Sequence, residues 1–173
     1  MEGFIWAWFL HYNETGGIVL ILGIYGYHDS GKTLLLEKLM KELGKRGISA
    51  GAIKHLGGHY EPDIKTDTGR LFAADMNPVI GISEEDTIIH LKGKMSLQES
   101  IGLVKEMASV DVIFVEGFKN EPMEKIAVGD IENLPGTKFR SEQFEEIVDY
   151  IDDAVKVEKA SKSSCSCGCA KNR

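Results

Sequence analysis

Two apolar segments dominate the pattern of hydrophobic and polar positions along the chain. The first, Ile18 to Tyr25, reads IVLILGIY and is apolar at consecutive positions rather than at every second one. The second, Asp111 to Val115, is apolar after its first residue and ends at Glu116-Gly117. Continuous β-branched runs of this kind are typical of strands covered on both faces in a parallel sheet. They predict two central strands.

Helical periodicity occupies much of the sequence around these strands. Apolar positions at helical spacing extend from Leu34 to Leu43, and Gly47 is suited to end that helix. Ser96 and Glu99 form a capping box for a helix that continues towards Ser109. The remaining predicted elements are a strand over 48–54, a loop over 55–65, a short helix over 67–75, strands over 79–83 and 87–91, a strand over 126–128 and a final helix over 141–159. This alternation predicts an α/β fold with a mostly parallel sheet flanked by helices.

The two ends of the chain differ from the segment between them. The opening FIWAWFLHYNETGG has no repeat period, so residues 1–16 are predicted to be a disordered extension outside the fold. The closing KASKSSCSCGCAKNR is small and polar, which predicts a disordered, cysteine-containing tail over residues 161–173. Residues 17–160 are expected to form one folded domain.

Composition limits the class of ligand and the compartment. The chain has 173 residues, 43% of them hydrophobic, and a formal net charge of -7. Nucleic-acid binding needs clustered Lys and Arg, so no nucleic-acid partner is expected. The apolar run Phe4 to Leu10 is too short to span a bilayer, so no membrane partner is expected either. All three cysteines lie in the last nine residues, which leaves the fold without disulfides and predicts a cytoplasmic location.

The segment GYHDSGKT, Gly26 to Thr33, matches the phosphate-binding pattern G-x-x-x-x-G-K-[ST]. Gly26 and Gly31 let the backbone turn tightly and present N–H groups to phosphate oxygens. Lys32 supplies charge for the β- and γ-phosphates, and Thr33 supplies a hydroxyl for Mg²⁺. The helix that follows directs its positive dipole end at the anion. Residues 17–160 are therefore predicted to be a P-loop NTPase-like domain that binds a nucleoside triphosphate.

A second acidic group is expected at the end of a neighbouring strand, where it would hold the Mg²⁺ shell or position water. Glu116 ends its strand at the side where ligands gather in open α/β sheets, whereas Asp111 opens the same strand. Glu116 is therefore the candidate catalytic and metal-shell residue. The alternative interpretation of Glu116 is an exposed carboxylate in a turn.

Further short motifs accompany the P-loop. They are IKH at 53–55, DTGR at 67–70 with Ala73-Ala74, VEGFK at 115–119 and Lys125-Ile126. Together with GYHDSGKT, and over about Ile18 to Val128, they resemble the molybdopterin-guanine dinucleotide biosynthesis protein B family. The resemblance implies a GTP-binding protein, usually a homodimer, that assists the partner enzyme attaching a guanosine nucleotide to molybdopterin. It also implies weak GTPase activity and an accessory role.

The resemblance further implies which residues line the site. Arg70 and Lys119 would supply positive charge to a second anionic ligand, molybdopterin or its guanine dinucleotide, since Arg presents a bidentate fork and Lys a point charge. The alternative for Arg70 is an ion pair with Asp67, three residues earlier on the same helix. The full implied nucleotide set is Gly26, Asp29, Ser30, Gly31, Lys32, Thr33, Lys54, His55, Asp67, Arg70 and Lys119, with Thr33 and Glu116 at the Mg²⁺.

The preference for guanine follows from the resemblance alone. The N-K-x-D pattern with which signalling GTPases read guanine is not met, because Asn120 is followed by Glu121-Pro122. His55 and His59 are four residues apart, but Gly57-Gly58 opposes a helix that would place both on one face. Polar loop contacts are therefore expected for these histidines in place of a metal site.

The three cysteines form a separate candidate site. Cys165, Cys167 and Cys169 alternate with small residues, so their thiolates can converge on a soft metal such as Zn²⁺ or Cu⁺. Sites of this kind usually need four ligands, which a second tail in a homodimer would complete. A solvated tail with free thiols is the alternative.

Two other functions remain open from the residues. A small-molecule kinase using ATP would employ Glu116 or Asp67 as base, but no arginine-rich lid follows the P-loop helix. A metal-insertion GTPase would use the cysteine tail, but the predicted domain contains no cysteine. The leading prediction is the GTP-binding accessory protein.

Overall fold

The computed structural model describes residues 11–12, 18–58 and 60–165. The strands are β1 His11–Tyr12, β2 Ile18–Gly26, β3 Ala50–Lys54, β4 Val79–Ile82, β5 Thr87–His90, β6 Val112–Glu116, β7 Lys125–Val128 and β8 Thr137–Arg140. The helices are α1 Lys32–Lys45, α2 Asp67–Ala73, α3 Leu97–Met107 and α4 Phe144–Cys165. No helix within these described ranges is long and apolar enough to cross a membrane.

The main sheet is parallel, as the continuous apolar runs predict. Its strands lie in the order β3-β6-β2-β7-β8, and β1 pairs with β2 in the antiparallel direction. The registers place Ile24 beside Glu116, and Glu116 beside Lys54. On the other side of β2, Gly26 lies beside Val128. The carboxyl ends of the five parallel strands therefore lie at one edge of the sheet, where the P-loop leaves β2.

Helices cover both faces of this sheet. On one face, α1 and α4 contribute Leu35, Leu39, Ile147 and Ile151 to a core with the strand residues. On the other face, α3 contributes Leu97 and Ile101, which pack with strand residues and with Met123. The predicted α/β fold with a mostly parallel sheet flanked by helices is confirmed.

The chain divides into two compact units, one made of Met1–His55 with Leu97–Arg173 and the other of Leu56–Ser96. The sequence was expected to give one domain over 17–160. The second unit is separate because, among the described residues, β4 and β5 pair with each other and not with the main sheet. It contains α2 and the β4-β5 hairpin, and Thr66 caps α2 by accepting a 3.1 Å hydrogen bond from the Gly69 N–H.

The ends of the chain show two differences from expectation. The predicted extension over 1–16 lies mostly outside the described residues and stays a prediction, but His11–Tyr12 within it forms β1. Helix α4 continues to Cys165, past residue 161 where the disordered tail was expected to begin. The other two cysteines, Cys167 and Cys169, lie outside the described residues.

Candidate nucleotide-binding site

The P-loop leaves β2 through a glycine that no other residue can replace without movement. A Cβ on Gly26 would lie 2.4 Å from Ser30 Oγ and 2.5 Å from the Val128 carbonyl oxygen. Across the loop, Gly129 has φ +79°, and a Cβ there would lie 3.3 Å from Ser30 Cβ. The start of the P-loop is therefore closely packed against the end of β7.

Helix α1 begins at the end of the P-loop with its backbone directed at the site. Its N-cap is Gly31, at φ 91°, which has no side chain that could occupy the helix end. The Leu35 N–H donates the first helical bond, 2.9 Å, to the Gly31 oxygen. The first turn contains Lys32 and Thr33 and no acidic residue. Unpaired N–H groups and the dipole at such a helix start favour an anion, as the sequence predicts.

The Lys32 ammonium lies over its own loop. It donates to the Tyr27 oxygen at 2.5 Å, and the Gly26 oxygen and Ser30 Oγ lie 3.4 and 3.5 Å away. An ammonium in this position can exchange the Tyr27 oxygen for a phosphate oxygen as its acceptor, and the backbone need not move. Lys32 is therefore placed for the role that the motif predicts.

Glu116 and Lys54 form an ion pair beside the P-loop. They are register partners on β6 and β3, and their Oε2 and Nζ atoms are 3.3 Å apart. The Glu116 side chain is 13% exposed and that of Lys54 is 54% exposed. The Glu116 carboxylate thus lies at the predicted edge of the sheet, but it is paired with the Lys54 ammonium.

The VEGFK turn folds back towards the P-loop. Gly117 has φ +95°, and a Cβ on it would lie 2.7 Å from His55 Cβ, so the turn requires glycine. The His55 and Phe118 rings meet edge to face with centroids 5.1 Å apart. The Lys119 ammonium lies 5.8 Å from the centre of the Tyr27 ring. The main unit therefore brings Lys54, His55, Glu116 and Lys119 together beside the P-loop.

The remaining predicted ligands are exposed, and two of them belong to the second unit. Asp67 and Arg70 belong to the second unit, where they form an exposed ion pair of 3.6 Å, as in the alternative interpretation of Arg70. Asp29, at φ 56°, contacts His28 Nδ1 at 2.9 Å, and both side chains are at least nine-tenths exposed. His59 lies outside the described residues.

The oxygen donors of the site suit Mg²⁺ held through a nucleotide. Thr33 offers a hydroxyl in the first turn of α1, and Glu116 offers a carboxylate, both of which are hard ligands. Within the described part of the chain, no group of three or more His, Cys, Asp or Glu side chains could hold a metal by itself. A metal here would depend on phosphate oxygens for the rest of its shell.

One part of the site was missed by sequence reasoning. A cavity of about 400 Å³ lies beside the P-loop and is lined by Ser30, Gly31, Leu34, Leu35, Lys38, Val128, Ser141, Glu142 and Phe144. Ser141 and Glu142 follow β8, a strand that the sequence did not predict, so its carboxyl end was not recognised. The available signal was a gap in the predicted elements, because no strand was assigned between Gly136 and the final helix.

Comparison with known proteins agrees with this geometry. The model of the family described as Molybdopterin guanine dinucleotide synthesis protein B, MobB, matches residues 21–151. This chain belongs to the MobB family. The resemblance carried by the five sequence motifs is confirmed.

Two curated relatives illustrate the similarity of this MobB-family chain. It is 36% identical over 108 residues to the molybdopterin-guanine dinucleotide biosynthesis adapter protein of Haemophilus influenzae, with 61% of each protein aligned. It is 30% identical over 159 residues to a putative protein of the same description from Methanocaldococcus jannaschii, with 86% of this chain and 65% of the relative aligned. The matched segments thus span less than two thirds of these relatives' own lengths.

Solved MobB structures share the fold. The crystal structure of Bacillus subtilis MobB aligns with 78% of this chain and 97% of its own, with a TM-score of 0.60 and 19% identity. A second MobB homolog, from Bacillus stearothermophilus, aligns with a TM-score of 0.58. At these identities the similarity shows the fold, which is the P-loop NTPase-like arrangement predicted from the sequence.

Proposed function

We propose that this MobB-family chain is a GTP-binding accessory protein of molybdenum cofactor biosynthesis, with weak GTPase activity at most. The observation that carries the proposal is the P-loop at the carboxyl edge of the sheet, with Lys32 over the loop and the Lys54-Glu116 pair beside it. The relatives named above are described as molybdopterin-guanine dinucleotide biosynthesis adapter proteins, which supports an accessory role.

Weak hydrolysis follows from the pairing of Glu116. Hydrolysis needs a residue that orients or deprotonates the attacking water. A carboxylate held 3.3 Å from the Lys54 ammonium already has one of its oxygens directed at a cation. Glu116 is therefore suited to the Mg²⁺ shell, together with Thr33, more than to rapid activation of water.

A second anionic ligand and a partner enzyme complete the proposal. Lys119, near the Tyr27 ring, would bind a phosphate of molybdopterin or its guanine dinucleotide at the mouth of the site. Arg70 belongs to the second unit, where its 72% exposed side chain could exchange the weak pair with Asp67 for an anion. The partner is the guanylyltransferase that attaches the guanosine nucleotide, and both proteins would act in the cytoplasm.

The proposal includes a homodimer formed through the second unit. Ile80 pairs with Ile89 across the β4-β5 hairpin, and Ile82 lies two residues along the same face as Ile80. These three side chains are 56%, 43% and 81% exposed. A two-stranded hairpin with an apolar face is marginally stable alone, and a second copy of the same hairpin would cover it.

Calorimetric titration with GTP and ATP, followed by single-turnover hydrolysis, tests the nucleotide claim. Lys32→Ala should abolish GTP binding, whereas Lys41→Ala, on the exposed side of the same helix, should bind GTP as the unmodified chain does. The purified chain should also increase dinucleotide formation when it is added to the guanylyltransferase with GTP. GTP affinity unchanged in Lys32→Ala, or rapid ATP-dependent phosphorylation of a metabolite, would overturn the proposal.

A further inference from the structure

The cavity beside the P-loop continues directly from the phosphate-binding loop. One end is formed by Ser30 and Gly31, and its wall then follows α1 through Leu34 to Lys38. Leu34 and Lys38 are four residues apart, so they are neighbours along one face of the helix. Ligand pockets for small molecules occupy roughly 300 to 1,000 Å³, and about 400 Å³ is available here. A nucleotide whose phosphates bind the P-loop can therefore place its base in this cavity.

The opposite wall is a short, firmly held turn between β8 and α4. The Ser141 N–H donates to the Ala127 oxygen at 2.8 Å. The Arg140 N–H donates to Gln143 Oε1 at 2.9 Å, and the Gln143 N–H donates to the Arg140 oxygen at 3.0 Å. The backbone of Ser141 and Glu142 is thus fixed at the cavity before any ligand binds, which lowers the ordering cost of recognition.

The Glu142 carboxylate is available to a ligand in this turn. Its side chain is 68% exposed, and the Arg140 Nε atom lies at 3.9 Å, the outer limit of an ion pair. The exposed Lys38 lines the same cavity, so a cation and an anion are both offered to the ligand there. Leu34, Val128 and Phe144 supply apolar surface for the faces of a flat ring.

The Glu142 carboxylate and the Lys38 ammonium complement the hydrogen-bonding edge of guanine and do not complement that of adenine. Guanine presents an oxygen acceptor at C6 and two neighbouring donors, the N1–H and the C2 amino group, whereas adenine presents an acceptor at N1. We infer that the cavity is the base pocket and that Glu142 accepts hydrogen bonds from the N1–H and C2 amino groups of guanine, with Lys38 donating to the C6 oxygen. The inference rests on the proposed function, because it names the base-reading residues of the same GTP site.

Calorimetric titration of the full chain with GTP, ITP, XTP and ATP tests the inference. ITP lacks the C2 amino group, and XTP carries an oxygen in its place. The unmodified chain should bind GTP about 10-fold or more tightly than ITP, and ATP more weakly still, because charge-assisted bonds to Glu142 are lost. Glu142→Gln should weaken GTP binding about 10- to 100-fold and strengthen XTP binding, since the new amide donates to the C2 oxygen.

Glu145→Gln is the matched control. Glu145 is an exposed carboxylate in the first turn of α4 and does not line the cavity, so the change removes the same charge nearby. Its nucleotide preferences and melting temperature should equal those of the unmodified chain. A GTP-to-ATP affinity ratio that is the same in Glu142→Gln and Glu145→Gln would overturn the inference while leaving GTP binding, and hence the proposed function, in place. No measurable binding of any triphosphate by the unmodified chain would instead overturn the proposed function itself.

Discussion

Gly26 is the residue on which the shape of the P-loop depends most directly. A methyl group at this position would collide with the Val128 carbonyl oxygen, which is backbone and cannot rotate away. We expect Gly26→Ala to lower the free energy of unfolding by about 1 to 3 kcal/mol, as for other overpacked sites, and to weaken GTP binding. Urea unfolding and GTP titration measure the two effects.

Gly102→Ala is the control for this substitution. Gly102 lies in the interior of α3, where a Cβ would meet nothing within 4 Å. Alanine should raise the free energy of unfolding there by about 0.5 to 1 kcal/mol, because a helix interior favours Ala over Gly. Equal stability of the two variants would contradict the packing described for the P-loop.

The Tyr25 hydroxyl connects the central strand to the loop between β7 and β8. Its ring is 1% exposed, and its oxygen accepts from the Leu134 N–H at 3.0 Å and lies 2.7 Å from Thr137 Oγ1. Tyr25→Phe should lower the free energy of unfolding by about 1 to 3 kcal/mol, because it leaves the Leu134 N–H without its acceptor and removes the hydrogen bond with Thr137 Oγ1. Tyr27→Phe, on a 63% exposed ring, should change it by less than about 0.5 kcal/mol. Similar values for both variants would contradict the assigned role of the Tyr25 hydroxyl.

Among the elements, strand β7 is unusual because it begins with a buried lysine, Lys125. Every residue of β7 is buried, and the Lys125 ammonium donates to the Pro135 oxygen at 2.8 Å. Burial lowers the pKa of Lys125 below its ordinary value of 10.5, an effect that the charge of Glu121 partly opposes. The folded chain therefore binds this proton less tightly than the unfolded chain does.

The lowered pKa of Lys125 makes the free energy of unfolding depend on pH, and its direction fixes the sign of that dependence. Between the folded pKa and 10.5 the unfolded state binds more protons, so the stability contributed at this site rises as pH rises through that window. We expect Lys125→Met to be at least as stable as the unmodified chain at neutral pH and to lose this advantage towards pH 10.5. Urea unfolding at several pH values, with the exposed Lys41→Met as control, measures the difference. An advantage that is constant with pH would contradict the prediction.

The elements also show which parts of the structure a sequence can disclose. β2 and β6 were predicted because both of their faces are apolar, and Glu116 followed because parallel strands end at one edge. The Lys54-Glu116 pair was not predicted, since it depends on the register of β3 against β6. β8 was missed because TKFR is short and half charged, as edge strands often are. Without β8, the turn that presents Glu142 to the cavity could not be recognised.

On the scale of the whole molecule, the P-loop belongs to one unit, and most of the exposed large apolar side chains of the described residues belong to the other. The main unit contains the P-loop and the cavity beside it, and all nine residues that line this cavity belong to the main unit. The smaller unit, Leu56–Ser96, carries many of the exposed large apolar side chains, among them Ile64, Ile80 and Ile82. In the proposed function, nucleotide binding therefore belongs to the first unit and self-association to the second.

The proposed homodimer can be tested separately from nucleotide binding because of this division. Replacing Ile80 and Ile82 together by Lys places two charges on the exposed face of the hairpin, where a second copy would have to bury them. Sedimentation equilibrium should show a dimer for the unmodified chain and a monomer for this variant, with GTP affinity retained. Val157→Lys is the control, since Val157 is a 71% exposed apolar residue on α4, and it should remain dimeric. Because charges on a surface that stays in water cost little, a double variant that remains dimeric would place the interface outside this face.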